Sequence, residues 1–188
     1  MALALPLAFG LLVSPALGGR WSALGRLQLR FVGLFYAAIA LQLAAFPFKA
    51  LPWRTSDRAG VVLWLCSYAL FVVACAANFR VPGVPLVAVG MLLNVLAITT
   101  NGGHMPALPS ALRAAGLHFV RSRNSAVLPS PNLAWLVDRW ALPGWVPWGN
   151  VFSAGDVLIA AGGLVFALGA TGALRIARAR RAGLALRA

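Results

Sequence analysis

The chain predicts an all-α integral membrane fold, about five transmembrane helices with a structured outer loop of short interfacial helices, and three observations carry that expectation. Hydrophobic residues make up 61% of the 188 positions, charged residues only 10%, and the mean hydropathy is +0.85. Apolar runs of near-spanning length recur along the chain, where about 20 residues suffice to cross a hydrocarbon layer. Apart from Asp156, near the start of the last run, the charged residues fall between those runs, as a bilayer requires. This balance excludes an ordinary soluble domain.

The elements follow in order. Residues 3–18 form the first apolar segment, expected as a retained span because it lacks the basic start of a signal peptide. Gly18-Gly19 ends it, and Arg20, Arg26 and Arg30 follow. Residues 31–48 form the second segment. Pro47 and Pro52 bracket the next connection, which carries Lys49, Arg54, Asp57 and Arg58. Residues 60–78 form the third, containing Cys66 and Cys75 on different helical faces, so both read as packing residues and not as a disulfide. Arg80 and a Pro82-Gly83 turn lead into the fourth, 83–100, and the fifth runs from 152 to 173. The whole is expected to be one polytopic domain spanning 1–188.

Charge placement gives an orientation. The net charge of +13 would suggest nucleic acid in a soluble protein, but these arginines flank apolar runs, so no nucleic-acid partner is expected. With five spans, Arg20, Arg26, Arg30, Arg80, Arg175, Arg178, Arg180, Arg181 and Arg187 share one side, nine of the 16 basic residues. That side is expected to be cytoplasmic, in a bacterial inner membrane, which places the 101–151 loop outside.

The outer loop has local structure signals of its own. Ser110 reads as the cap of an amphipathic helix over 111–120, and Ser130 before Pro131 as the start of a second, reaching Trp140. Trp135, Trp140, Trp145 and Trp148 crowd into its last part, which predicts a segment at headgroup depth in contact with membrane lipids.

The candidate site lies where this loop meets the spans. Only three acidic residues occur, Asp57, Asp138 and Asp156, and a carboxylate at a membrane boundary needs a partner or a task. Ser153 and Asp156 form S-x-x-D before an apolar run, a capping box, while Asp138 has surface pairing with Arg139 or Arg113 as its plain reading. Asn94 is expected to bond between helices or to line the site. Asn101, Gly102 and Gly103 read equally as the end of the fourth helix and as holders of a substrate carbonyl. Arg139 completes the candidate binding set. His104 and His118 are too few to suggest a metal centre, and no metal or other cofactor is expected.

The joint pattern Asn101–Pro106, Leu136-Val137-Asp138 and Phe152–Ile159 resembles an uncharacterised family of small bacterial integral membrane proteins. The likeness covers the last span pair and outer loop, and implies a membrane fold without a chemistry. A partial resemblance to the aspartyl lipoprotein signal peptidase (signal peptidase II) rests on Asn101-Gly102-Gly103, Leu136-Val137-Asp138 and Phe152 to Asp156, with Ile159 and Gly162. It implies that Asp138 and Asp156 are a catalytic dyad acting on a lipidated peptide. Here a loop alone separates the asparagine element from Asp138, where that peptidase has two spans. Two functions are therefore expected: first a scaffold or accessory subunit of a membrane complex, and as the alternative a membrane-embedded aspartyl hydrolase.

Overall fold

Proline and glycine punctuation decides where the helices of this chain begin and end. In the computed structural model, residues 4–45, 56–118, 125–146 and 149–181 are described. Helix α1, Ala4–Val13, ends just ahead of Pro15, which has no N–H to continue the helical bonds. The chain continues as a 3₁₀ turn, Pro15–Leu17, closed by Gly18 at φ +88°. Helices α2, Val32–Ala45, and α3, Asp57–Ala77, come next, the latter capped by Ser56 accepting from the Ala59 N–H. Helix α4, Val84–Thr100, starts behind Gly83 at φ +85°. A short α5, Pro109–Ala114, precedes α6, Ala154–Ala170, and α7, Ala173–Arg181.

Each of the five apolar runs thus contains one helix, and the chain is mostly helical. Helix α3 is long and apolar enough to cross a membrane by length and composition, while α2, α4 and α6 are shorter apolar helices. In space α2 packs on α3, α3 on α4, α4 on α6 and α6 on α1. The α4–α6 contact is the closest, because glycines face each other across it. A Cβ built on Gly83 would meet the Gly162 carbonyl, and one on Gly90 would meet the Gly155 carbonyl. Two glycines seven residues apart on each helix let the backbones touch.

The basic connections gather at one end of this bundle. The Arg20 N–H donates to the Thr171 carbonyl at 2.9 Å. Asn78 accepts from the Arg30 N–H at 2.8 Å and donates back to the Arg30 carbonyl at 2.9 Å. The arginine-rich tail begins as helix α7, which packs on α6 and the Pro15–Leu17 turn.

The opposite end carries the 101–151 cap, and here the structure corrects two expectations. Helix α5 starts at Pro109, not after Ser110, with Leu108 as its N-cap, and has ended before Gly116 at φ +67°. Positions 119–120 of the expected 111–120 helix lie outside the described residues, as do Lys49, Arg54, Trp148 and Arg187. The helix expected from Ser130-Pro131 to Trp140 does not form. Its backbone is engaged sideways: the Asp138 N–H donates to the Pro106 carbonyl at 2.8 Å, and the Leu108 N–H to the Asp138 carbonyl at 2.9 Å. Leu133 is left-handed at φ +52°, which a continuing helix cannot accommodate.

Short pairings that the apolar periodicity did not suggest hold the cap together. Strand β1, Met105–Pro106, runs parallel to β2, Ser125–Ala126, and Ala107 bridges in parallel to Asp138. Strand β3, Trp140–Ala141, pairs antiparallel with β4, Val151–Phe152. Beneath them a core of Trp64, Ala97, Ile98, Met105 and Leu136 joins the cap to α3 and α4.

Candidate functional site

The polar centre of the cap is built where α4 approaches the start of α6. Ser153, extended at φ −103°, caps α6 by accepting from the Asp156 N–H at 3.1 Å. The Asp156 carboxylate returns the bond, Oδ2 accepting from the Ser153 N–H at 3.0 Å, so the capping box read from S-x-x-D is present. Asn94 then closes a ring with both. Its Nδ2 donates to Asp156 Oδ1 at 2.9 Å, and its Oδ1 accepts from the Ser153 hydroxyl at 2.9 Å. Asn94 and Ser153 are buried, and Asp156 is half-buried at the rim.

Glycine makes that ring possible. A Cβ on Gly155 would fall on Asn94 Oδ1 and lie 2.6 Å from the Gly90 carbonyl. Sequence reading missed Gly90 and Gly155 as site residues. Their signal was available as the matching seven-residue steps Gly83–Gly90 and Gly155–Gly162.

Asp138 sits nearby in a different environment. It is 6% exposed, and its Oδ1 is buried with no hydrogen-bond partner among the described residues. Burial, and then the negative Asp156 carboxylate, push its pKa up from 3.8 to about 7. The surface pairing with Arg139 does not occur. Successive side chains along extended backbone point to opposite faces, and Arg139 is exposed, its guanidinium 5.8 Å over the Trp140 ring.

The Asn101–Gly103 turn is accounted for by closing α4. The Gly103 N–H donates to the Ile98 carbonyl at 2.9 Å, with Gly102 at φ +69° in the left-handed position of a Schellman-type end. Gly103, at φ +86°, is buried against Val61, whose side chain would collide with any Cβ there. The Asn101 carboxamide is committed as well. It donates to the Ala97 carbonyl at 2.8 Å and the Asn132 carbonyl at 3.0 Å, and accepts from the Asn132 N–H at 2.8 Å. Asn132 donates back to the Thr100 carbonyl at 2.7 Å. Asn101 therefore pins the stretch that leads to Asp138, and the ring around Asp156 is made without it. His104 Nδ1 lies 3.3 Å from the Gly102 carbonyl, and His118 is exposed. Among the described residues no three His, Cys, Asp or Glu side chains gather as a metal site would require.

One groove opens beside the ring. It has a volume of about 430 Å³, with apolar walls from Pro6, Phe152, Val157, Ala161 and Leu164, and Asn150 and Asp156 as its polar lining. Phe152 stacks on Trp140 with centroids 5.9 Å apart, and the Arg139 guanidinium lies over that same Trp140 ring.

These features define a class: a strongly apolar helical bundle with arginine-rich connections at one end and a polar-centred cap at the other. The chain belongs to the Family of unknown function (DUF5317), whose model matches residues 26–168. That match takes in α2 to α6, with Asn94, Asp138, Ser153 and Asp156. Over 137 residues the chain is 30% identical to an uncharacterized protein of Thermotoga maritima, covering 71% of this chain and 76% of that protein. No solved structure matches it.

Proposed function

We propose that this protein is a multi-pass integral membrane protein of the bacterial cytoplasmic membrane, whose ordered outer cap serves as a scaffold for a membrane partner. One observation carries the accessory role: Asp156 is bonded into the cap and Asp138 is buried within it. Asp156 Oδ1 ties α6 to Asn94 of α4 while Oδ2 caps the start of α6, and Asp138 is buried beside the strand pairings. A hydrolytic dyad needs two carboxyls that reach each other and the substrate. Here the groove is lined by Asp156.

The membrane reading is supported by what the helices leave uncovered. Leu12, Tyr36, Ile39, Val62, Val73, Leu92 and Leu96 are all exposed on α1 to α4. A water-soluble bundle of this size would bury such residues. A 17-residue helix is about 26 Å long, near the hydrocarbon thickness, so the shorter α4 and α6 suit a span with ordered caps. Trp135, Trp140 and Trp145 are exposed on the cap, as suits headgroup depth.

The second reading is the aspartyl hydrolase suggested by the likeness to signal peptidase II, and one observation favours it. Asp138, held up at about 7 beside the Asp156 carboxylate, has the ionisation a general acid needs.

Topology is tested by cysteine labelling in a background with Cys66 and Cys75 replaced by alanine. A membrane-impermeant reagent added outside whole cells should modify Ser130→Cys on the cap and spare Ser22→Cys at the basic end. Modification of Ser22→Cys alone would reverse the orientation, and equal release of the chain into the soluble fraction would overturn the membrane reading.

A further inference from the structure

Resting on the membrane reading above, we propose that the groove beside Asp156 binds one zwitterionic aminophospholipid, with the lipid's ammonium on Asp156 and its phosphate towards Arg139. The walls given by Pro6, Phe152, Val157, Ala161 and Leu164 are apolar, and a volume of about 430 Å³ suits a lipid chain better than a polar metabolite. The polar groups stand at one end, where α6 begins and the β3–β4 pair closes the cap.

Charge complementarity selects the headgroup. Asp156 accepts one hydrogen bond on each oxygen from inside the protein. A carboxylate has about four lone-pair sites, so two remain for a donor arriving from the groove. An ammonium fits that demand, and the bond is charge-assisted. Arg139, held over Trp140, which itself stacks on the groove wall Phe152, is the cation linked to that wall through ring contacts. A planar guanidinium is suited to phosphate. An anionic headgroup lacking an amine would offer no donor to the lone pairs of Asp156 that face the groove and would set two negative charges together. A quaternary amine would match the charge but offer no N–H.

The experiment uses the intact protein, purified in detergent, stripped of endogenous lipid and offered equal amounts of three phospholipids with identical chains. The headgroups are ethanolamine, choline and glycerol, and native mass spectrometry reads the bound lipid. One ethanolamine lipid should be retained with about a tenfold preference over each of the others, the contribution of roughly one charge-assisted hydrogen bond. Asp156→Asn should bring the ethanolamine and choline lipids level. Ala161→Phe should remove all retention while the helical circular dichroism persists, and Val157→Trp, on an exposed position, serves if that variant does not fold. Equal retention of the three headgroups by the wild type, or a preference that survives Asp156→Asn, would overturn the proposal. Outside labelling of Ser130→Cys together with equal retention would defeat this inference alone and leave the membrane reading standing.

Discussion

Alanine at Gly155 is expected to destabilise the bundle by about 2–5 kcal/mol, although it adds one methyl group and improves intrinsic helix propensity. The methyl would fall on Asn94 Oδ1 and crowd the Gly90 carbonyl, and neither can move freely. Asn94 is held by Ser153 and Asp156, and Gly90 belongs to the α4 backbone. The helices must separate or the ring must break, and a broken ring leaves a buried hydroxyl and carboxamide unpaired. Gly163 provides the control, since a Cβ there meets Leu7 at 3.5 Å, an ordinary contact. Gly163→Ala should be neutral or stabilising by up to about 1 kcal/mol. Thermal unfolding of both variants in the same detergent checks the pair. Equal transitions for Gly155→Ala and wild type would show that the α4–α6 contact is looser than described.

The second large effect is on pH dependence. Asp138 is raised from 3.8 to about 7 by burial and, after it, by Asp156. A carboxyl raised in the folded state favours folding most when the pH lies below its unfolded value. That stability is lost as pH rises from about 4 to about 7, where the folded group finally ionises. Three units correspond to about 4 kcal/mol as an order of magnitude. Asp138→Asn cannot ionise, so it should flatten stability across this window, and at pH 8 it should equal or exceed the wild type. Chemical denaturation at pH 4.5, 6 and 8 reads the slope directly. A slope unchanged by Asp138→Asn would place its origin in another group.

The bundle was legible because its signals are local. The five apolar runs, Pro82-Gly83 and Ser153-x-x-Asp156 each announce an element from neighbouring residues; helices α1, α2, α4 and α6 lie within the runs that predict them, and α3 starts three residues ahead of its run, at Asp57. The cap was less legible because its backbone bonds join segments far apart in the chain. Ser130-Pro131 has the chemistry of a helix start, yet Asn101, thirty-one residues earlier, takes both the N–H and the carbonyl of Asn132 and turns the chain aside. The strand pairings at Pro106 and Asp138 then compete with helical bonds and win. Of the candidate site residues, Asn94 and Asp156 meet at the start of α6. The role of Asn101 was not readable, because a helix end and a substrate holder call for the same Asn-Gly-Gly sequence. Gly90 and Gly155 escaped notice because a glycine inside an apolar run shows its purpose only when the facing helix is known.

In the proposed scaffold role, Asp138 and Asp156 help build a docking cap and do not cut a substrate. The most direct measurement is native electrophoresis of membranes extracted in mild detergent, comparing the tagged wild-type chain with Asp138→Asn, alongside cleavage of a synthetic lipopeptide by the same extracts. Both chains should migrate in one assembly well above the 19.7 kDa of the chain alone. Cleavage should be no different from that by membranes lacking the protein. Migration of the wild type as a lone chain, with lipopeptide cleavage that Asp138→Asn abolishes, would contradict it and establish the hydrolase.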